Sequence, residues 1–173
     1  FSIINNKIFQ EKSFFGDKIY IVMNDYDNYT VSSDFHPQII NLYKSDIRKN
    51  YSELNEVSKF LDNISKKIRD RIILRPHISK LRKHSTIDFE NKYKKMITID
   101  NNYKLNLSQQ LKNSRINFIV RPYSTIFVQS MAKNFPTTTL FTHGLEYLES
   151  NTKEAIKELS KVGICHYNYK SLI

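Results

Sequence analysis

From about residue 18 onward, short apolar runs alternate with amphipathic stretches, and this alternation constrains the fold more than any other feature. The runs are short and most are rich in Ile or Val, as is typical of strands buried on both faces of a sheet. Strands that alternate with helices indicate an α/β domain built on a parallel sheet. The predicted strands are Lys18–Met23, Arg71–Leu74, Met96–Ile99, Ile116–Val120, Thr137–Phe141 and Ile164–Tyr167.

The stretches between the strands predict helices. Apolar residues recur every three or four positions from Leu54 to Ile68, so we expect one amphipathic helix over Tyr51–Arg69. Shorter helices are predicted at Leu105–Asn113, Ser124–Asn134 and Thr152–Lys161, the last capped by Asn151 and ended by Gly163. Residues 24–50 are polar and turn-rich and receive no assignment.

Length and composition indicate a globular domain. A chain of 173 residues can bury roughly two thirds of its unfolded surface, which fits a single domain over residues 1–173, with 1–17 and 24–50 as linker or insert. The hydrophobic fraction of 40% argues against disorder, and the lack of a long apolar run argues against a membrane span. Because the chain begins with Phe1 and shows no signal-peptide pattern, we expect a fragment of a larger protein. A single cysteine fits a reducing compartment, with the cytoplasm as the default.

The positive charge is concentrated in the middle of the chain. The formal net charge is +10, and residues 44–104 hold 16 Lys and Arg against 8 Asp and Glu. Nucleic acid, an anionic membrane surface and phosphorylated small molecules are all compatible with that sign.

Two segments have the residue pattern of phosphate-binding sites. Residues 75–84 follow an apolar run and hold four cations and two histidines without one acid. Residues 121–127 leave a second apolar run and enter a helical pattern through Ser124 and Thr125, where backbone N–H groups are expected to be unpaired. Two such turns suggest one anionic ligand.

In an open parallel sheet, ligands bind beyond the carboxyl ends of the strands. We therefore expect that edge to collect a single site. Its phosphate-binding candidates are Arg75, His77, Ser124, Thr125 and Arg121, and its nucleoside- or sugar-binding candidates are Asp100, His143 and Glu146. Ser124 also suits a helix N-cap, and Arg121 can offer a two-pronged donor to phosphate oxygens.

Each candidate also has a plainer structural interpretation. Ser124 can serve only as a helix cap, His77 as a residue that stabilises a turn, and Asp100 as part of a turn with Asn101. The basic residues from Lys80 to His84 can form a solvated surface, and Glu146 can simply lie near a helix start. Cys165 and His166 lie in an apolar run and are interpreted as core.

Several familiar motifs are absent from the sequence. It holds no Gly-x-Gly-x-x-Gly fingerprint, no Gly-Lys-Ser or Gly-Lys-Thr phosphate loop and no Gly-x-Ser-x-Gly elbow. The five histidines lack the spacing of metal ligands. We therefore expect no metal and no cofactor.

An ordered set of motifs over residues 70–173 resembles the C-terminal half of a family of bacterial surface-carbohydrate transferases. The segments that carry the resemblance are Arg75-Pro76-His77, the Asp100 region, residues 111–116, residues 124–132, residues 134–137 and residues 159–166. That family is similar to the GT-B glycosyltransferases, in which two Rossmann-like domains face each other and the C-terminal one binds the donor. The resemblance implies a Rossmann-like parallel sheet with helices on both faces, as one half of such an architecture.

The resemblance also implies a function. It implies transfer of a sugar from a nucleotide donor onto a glycan or lipid-linked acceptor during surface polysaccharide synthesis, in the cytoplasm or at the inner face of the membrane. Arg75, His77, Ser124 and Thr125 would contact the donor pyrophosphate, and Glu146 the nucleoside. Gln129 stands where the family pattern usually has Glu, and Ile126 where it usually has Thr. The catalytic base would come from an N-terminal half, so the chain alone is expected to bind without turnover.

Two other functions remain open at this point. The basic central segment, with 11 Tyr and 11 Phe in the chain, is compatible with a nucleic-acid-binding module, although the aromatic residues are not interleaved with the basic run. Gln129 and the missing half are compatible with a non-catalytic interaction fragment.

Overall fold

A computed structural model describes residues 16–23, 53–76, 84–101, 106–120, 124–142, 145 and 149–173. Within these residues, six strands form one sheet in the order β3-β2-β1-β4-β5-β6, and every neighbouring pair is parallel. The strands are β1 (Ile19–Val22), β2 (Ile72–Arg75), β3 (Thr98–Ile99), β4 (Ile116–Ile119), β5 (Thr137–Leu140) and β6 (Cys165–His166). This is the doubly wound, Rossmann-like order, and the predicted α/β fold class is confirmed.

Helices connect the strands and run back across the sheet. They are α1 (residues 53–63), α2 (Lys66–Arg69), α3 (His84–Tyr93), α4 (Leu107–Lys112), α5 (Thr125–Ala132) and α6 (Ser150–Lys161), followed by a 3₁₀ turn at Tyr169–Ser171. Among the described residues, no helix is long and apolar enough to cross a membrane.

The sheet is buried on both faces. Ile21 packs on one face, in a cluster that includes Val57 and Leu61 of α1 and Tyr93 of α3. Tyr20 packs on the other face, with Leu111 of α4 and Phe127 of α5. Successive residues of a strand point to opposite faces, so one strand supplies both clusters. The short apolar runs of the sequence are therefore strands with two buried sides, as expected.

All six predicted strands are present, each shifted by at most two residues at either end. Helices α4 and α5 also lie within their predicted ranges. At the end of α6, Gly163 has φ +72 and its N–H donates to Ser160 O at 3.1 Å, while Ile164 N–H donates to Leu159 O at 2.9 Å. These two bonds form a Schellman motif, which confirms Gly163 as the helix end.

Two helix predictions were wrong, and one helix was not predicted. The single helix expected over Tyr51–Arg69 is interrupted after residue 63, because Ser65 adopts an extended backbone and its hydroxyl accepts from Ile68 N–H to start α2. The cap of α6 is Glu149 rather than Asn151, which lies inside the first turn. His84 begins α3, which the sequence did not predict. Residues 24–50, left unassigned above, lie outside the described residues.

Candidate functional site

The carboxyl ends of the six strands meet at one edge of the sheet. β1 lies between β2 and β4, and Val22 aligns with Arg75 on one side and with Ile119 on the other. Neighbouring strands are about 4.8 Å apart, so the ends of β2 and β4 are separated by about 10 Å. The chain crosses from one face of the sheet to the other between β3 and β4. This places a topological switch point, where ligands of such folds bind, between β1 and β4.

The N-terminus of α5 opens at this switch point. Ser124 has an extended backbone, and its hydroxyl accepts a hydrogen bond from Phe127 N–H at 3.2 Å, which makes it the N-cap. The burial of Phe127 against the sheet fixes the direction of the helix. The first turn of a helix carries N–H groups without partners inside the helix and about half a positive charge. Thr125, the first helical residue, is exposed there. The arrangement can bind an anion without a metal.

A network of polar side chains lies at the carboxyl ends of β2 and β3. Asp100, directly after β3, accepts from Gln110 Nε2 of α4 at 3.0 Å. The Tyr20 phenol oxygen lies 2.5 Å from both Asp100 Oδ2 and Gln110 Oε1, and its single proton can be donated to only one of them. Arg75 Nη1 donates to Gln110 Oε1 and lies 3.8 Å from Asp100 Oδ2. One turn of α4 is therefore tied to β1, β2 and the end of β3.

The network balances charge inside the protein. The Arg75 and Asp100 side chains are only 6% and 14% exposed, so each charge is buried and has the opposite charge of the other nearby. Burial, reinforced by the hydrogen bond to Asp100, raises the pKa of Tyr20 well above its ordinary value. The phenol is therefore a neutral hydrogen-bond donor at physiological pH.

A cavity of about 780 Å³ lies beside this network. Ile73 and Ile99 contribute apolar surface to it, while Tyr20, Asp100 and Gln110 contribute polar groups. Its volume falls in the range of small-molecule sites. The cavity extends from Asp100 and Asn101 at the carboxyl edge to Lys18 and Lys112, which lie near the amino ends of the strands. The carboxyl edge therefore holds the N-terminus of α5 and one end of this cavity.

The structure brings together half of the residues predicted for the site. Arg75, Asp100, Ser124 and Thr125 all lie at the carboxyl edge. The other four, His77, Arg121, His143 and Glu146, lie outside the described residues. Nothing in the structure tests ligand binding by any of them, so their roles stay predictions. Arg75 is nearly buried and is joined to Asp100, which favours a supporting role for it over direct contact with a ligand.

Sequence reasoning missed Tyr20 and Gln110. Tyr20 lies in an apolar run and Gln110 in a helix of mixed composition, and no local pattern marks either residue. Their partners are remote in the chain, with 80 positions between Tyr20 and Asp100 and 90 between Tyr20 and Gln110. Only the strand order, with β3 two places from β1, could have suggested the contact.

Two further interpretations concern Cys165 and metals. Cys165 is 1% exposed, and burial raises the pKa of its thiol to about 11, so it is an inert core residue as interpreted. Its neighbour His166 places Nε2 3.1 Å from Gly163 O, a contact that belongs to the end of α6. Among the described residues, no group of three or more His, Cys, Asp or Glu could hold a metal ion.

Comparison with known proteins gives one match. The family model described as LIC12162 family transferase matches residues 19–172, nearly the whole chain. No curated protein and no solved structure matches the chain significantly.

Proposed function

This chain belongs to the LIC12162 family of transferases, and from that premise we propose that it is the donor-binding domain of a glycosyltransferase. The donor is a nucleotide-activated sugar, and the acceptor is a glycan or lipid-linked glycan of a surface polysaccharide. The donor acts as a substrate, and no separate cofactor is involved. The enzyme works in the cytoplasm or at the inner face of the membrane, together with an N-terminal half.

The observation that carries this proposal is the position of α5. Its N-terminus opens beside the switch point between β1 and β4, and Ser124 aligns its first turn. Helix N-termini at such points bind phosphate groups in many doubly wound folds. A pyrophosphate placed there would receive backbone N–H groups and the Ser124 and Thr125 hydroxyls. His77 and Arg121 are proposed to close the same site.

In this proposal, the part of the carboxyl edge at β2 and β3 binds the nucleoside or the sugar of the donor. The network of Tyr20, Arg75, Asp100 and Gln110 holds the ends of β2 and β3 in place, next to the cavity of about 780 Å³. We assign the nucleoside or sugar to this side, where Asp100 lines the cavity, with His143 and Glu146 as further proposed contacts. A rigid polar wall of this kind favours a fixed orientation of the donor.

In the proposed glycosyl transfer, the task of this domain is to stabilise the departing nucleoside diphosphate. When the sugar departs, negative charge develops on the nucleoside diphosphate. Fixed donors stabilise such charge, and the loss of one donor in comparable sites costs about 3 kcal/mol of transition-state stabilisation. Attack by the acceptor requires a base, which we assign to the N-terminal half. On its own, the domain is expected to bind the donor without turnover.

A substitution that adds a negative charge at the cap tests the proposal without weakening the helix. Ser124→Asp keeps a good N-cap and adds a charge that the helix dipole favours, but it repels phosphate. Asn106→Asp is the matched control, because Asn106 caps α4 through Ser108 N–H at 2.9 Å and receives the same charge change. Both variants are expected to unfold at or above the wild-type temperature when no ligand is present.

The measurement is a thermal-shift titration with a panel of nucleoside diphosphates at moderate salt. A ligand at one hundred times its Kd stabilises the native state by about 2.7 kcal/mol, which is roughly 5–11 °C for a chain of this size. We expect wild type and Asn106→Asp to show this shift and Ser124→Asp to lose it. If the nucleotide raises the unfolding temperature of Ser124→Asp as much as that of wild type, the phosphate does not bind at α5. If no nucleotide raises the unfolding temperature of wild type, donor binding is refuted.

A further inference from the structure

The amino edge of the sheet, at the opposite ends of the strands from Ser124 and Asp100, is strongly basic. We define this edge by the six described segments that lead into the strands: residues 16–18, 64–71, 94–97, 112–115, 133–136 and 161–164. They hold 11 Lys and Arg, and their only acids are Asp17 and Asp70. The net charge of these six segments is therefore +9.

The cations of the amino edge face solvent. All except Arg69 are exposed, and Arg69 donates from Nη2 to Ile64 O at 2.9 Å. The exposed ones are Lys18, Lys66, Lys67, Arg71, Lys94, Lys95, Lys112, Arg115, Lys133 and Lys161. Lys18 lies 3.9 Å from Asp17, and Lys161 donates to Glu158 at 2.6 Å. Since each strand start contributes at least one cation, the charge spreads over the full width of the sheet, about 25 Å.

Exposed aliphatic side chains lie among these cations. Ile68 is 42% exposed, Val162 69% and Ile173 67%. Ile68 also borders an apolar cavity of about 370 Å³ at this edge, whose walls include Ile19, Phe60, Ile64, Ile116 and Leu172. Lys18 and Arg115 immediately precede two of these wall residues and are joined by a backbone hydrogen bond of 2.8 Å. The cavity therefore has largely apolar walls and lies at the same edge of the sheet as the cations.

We propose that the amino edge docks on the surface of an anionic phospholipid bilayer. A broad field of lysines attracts anionic headgroups, and exposed aliphatic residues can enter the boundary between headgroups and acyl chains. The cavity supplies an apolar recess for part of one acyl chain. Single-stranded nucleic acid fits less well, because it requires aromatic residues for base stacking and Phe135, which is half-buried, is the only aromatic residue in the six segments.

The electrostatic part is tested by cosedimentation of the whole chain with vesicles. The vesicles contain phosphatidylcholine with phosphatidylglycerol, or phosphatidylcholine alone. Lys66→Ala/Lys67→Ala removes two charges from the amino edge, and Lys153→Ala/Lys157→Ala removes two from α6 away from the strand starts. A surface lysine contributes roughly a fivefold change in affinity for an anionic membrane. We expect the first pair to weaken binding roughly 25-fold and the control pair less than about threefold.

The contribution of the exposed aliphatic residues to docking is tested by a second pair of variants, which do not change the charge. Ile68→Ser removes an exposed aliphatic side chain from the amino edge, and Val128→Ser removes one that is 60% exposed on α5. We expect the Ile68 variant to lose vesicle binding and the Val128 variant to keep it, with both showing the wild-type circular dichroism spectrum.

Three results would overturn the docking surface. The first is equal binding to vesicles with and without phosphatidylglycerol. The second is an equal loss of vesicle binding in the edge variants and in their controls. The third is tighter binding to a single-stranded RNA oligonucleotide than to the vesicles at the same salt. The last result would assign the basic edge to nucleic acid instead.

Discussion

Replacement of Asp100 by Ala tests the physical account of the polar network. The carboxylate accepts from Gln110 at 3.0 Å, lies 2.5 Å from the Tyr20 phenol and sits 3.8 Å from the Arg75 guanidinium. The substitution leaves the Arg75 charge, on a side chain that is 6% exposed, without the compensation of this carboxylate. We expect a large loss of stability, because a buried charge loses an oppositely charged neighbour.

The magnitude follows from the burial of the pair. Removal of one partner from a buried ion pair costs about 3–5 kcal/mol. Asp100 is 14% exposed and its contact with Arg75 is long, so the lower end of that range applies, about 3 kcal/mol. For a domain of this length, that loss lowers the unfolding temperature by roughly 6–12 °C.

The assay is denaturant unfolding followed by circular dichroism, arranged as a double-mutant cycle with Arg75→Met. Asp100→Ala is expected to cost at least about 1 kcal/mol less when the guanidinium has already been removed. Asp17→Ala is the control, because the Asp17 side chain is 68% exposed and its loss should change stability by less than about 0.5 kcal/mol. Equal costs of Asp100→Ala in both backgrounds would refute the charge-balance reasoning.

Two other predictions concern single side chains. Within the described residues, the Ser130 hydroxyl is buried without a hydrogen-bond partner, so Ser130→Ala should raise the free energy of unfolding by about 1 kcal/mol, and a loss of stability would show that the hydroxyl is satisfied. Burial of Asp62 opposes ionisation, but hydrogen bonds from Lys92 and Tyr93, both at 2.9 Å, hold its pKa below the usual range. A lowered folded-state pKa stabilises the protein above the unfolded pKa, so Asp62→Asn should lose less than about 1 kcal/mol at neutral pH. The difference from wild type should shrink as the pH falls below the unfolded pKa, about 3.9, and vanish only below the lowered folded-state pKa. A difference that does not shrink in acid would contradict this assignment.

The inner strands β1, β2, β4 and β5 could be predicted from sequence because they are buried on both faces. A run such as Ile19–Val22 must be apolar throughout, and local composition alone reports that. The helices gave weaker signals. The apolar spacing continues unbroken from Leu61 through Ile64 to Ile68, so periodicity could not detect the interruption at Ser65. α3 buries Phe89 and Tyr93, one turn apart, while Ile87 is 41% exposed, and two apolar positions do not establish a period.

In the candidate site too, local sequence could predict some residues and not others. Ser124 could be found because a cap precedes its helix directly in the sequence. Asp100 could be placed at the carboxyl edge because it follows a strand. The partners that define its environment, Tyr20 and Gln110, come from β1 and α4, and only tertiary structure brings them together.

The position of β1 at the centre of the sheet affects how the polypeptide reaches this fold. Ile19 aligns with Ile72 on one side and with Ile116 on the other, so both neighbours of this strand are synthesised long after it. Closing such long loops costs entropy before the paired strands offset it, and folding that depends on remote pairs is slow. Until the segment through Ile119 has left the ribosome, one edge of the Ile-Tyr-Ile-Val strand stays unpaired. A short apolar strand in that state is prone to aggregate, so the yield of folded protein should depend on how quickly β4 arrives.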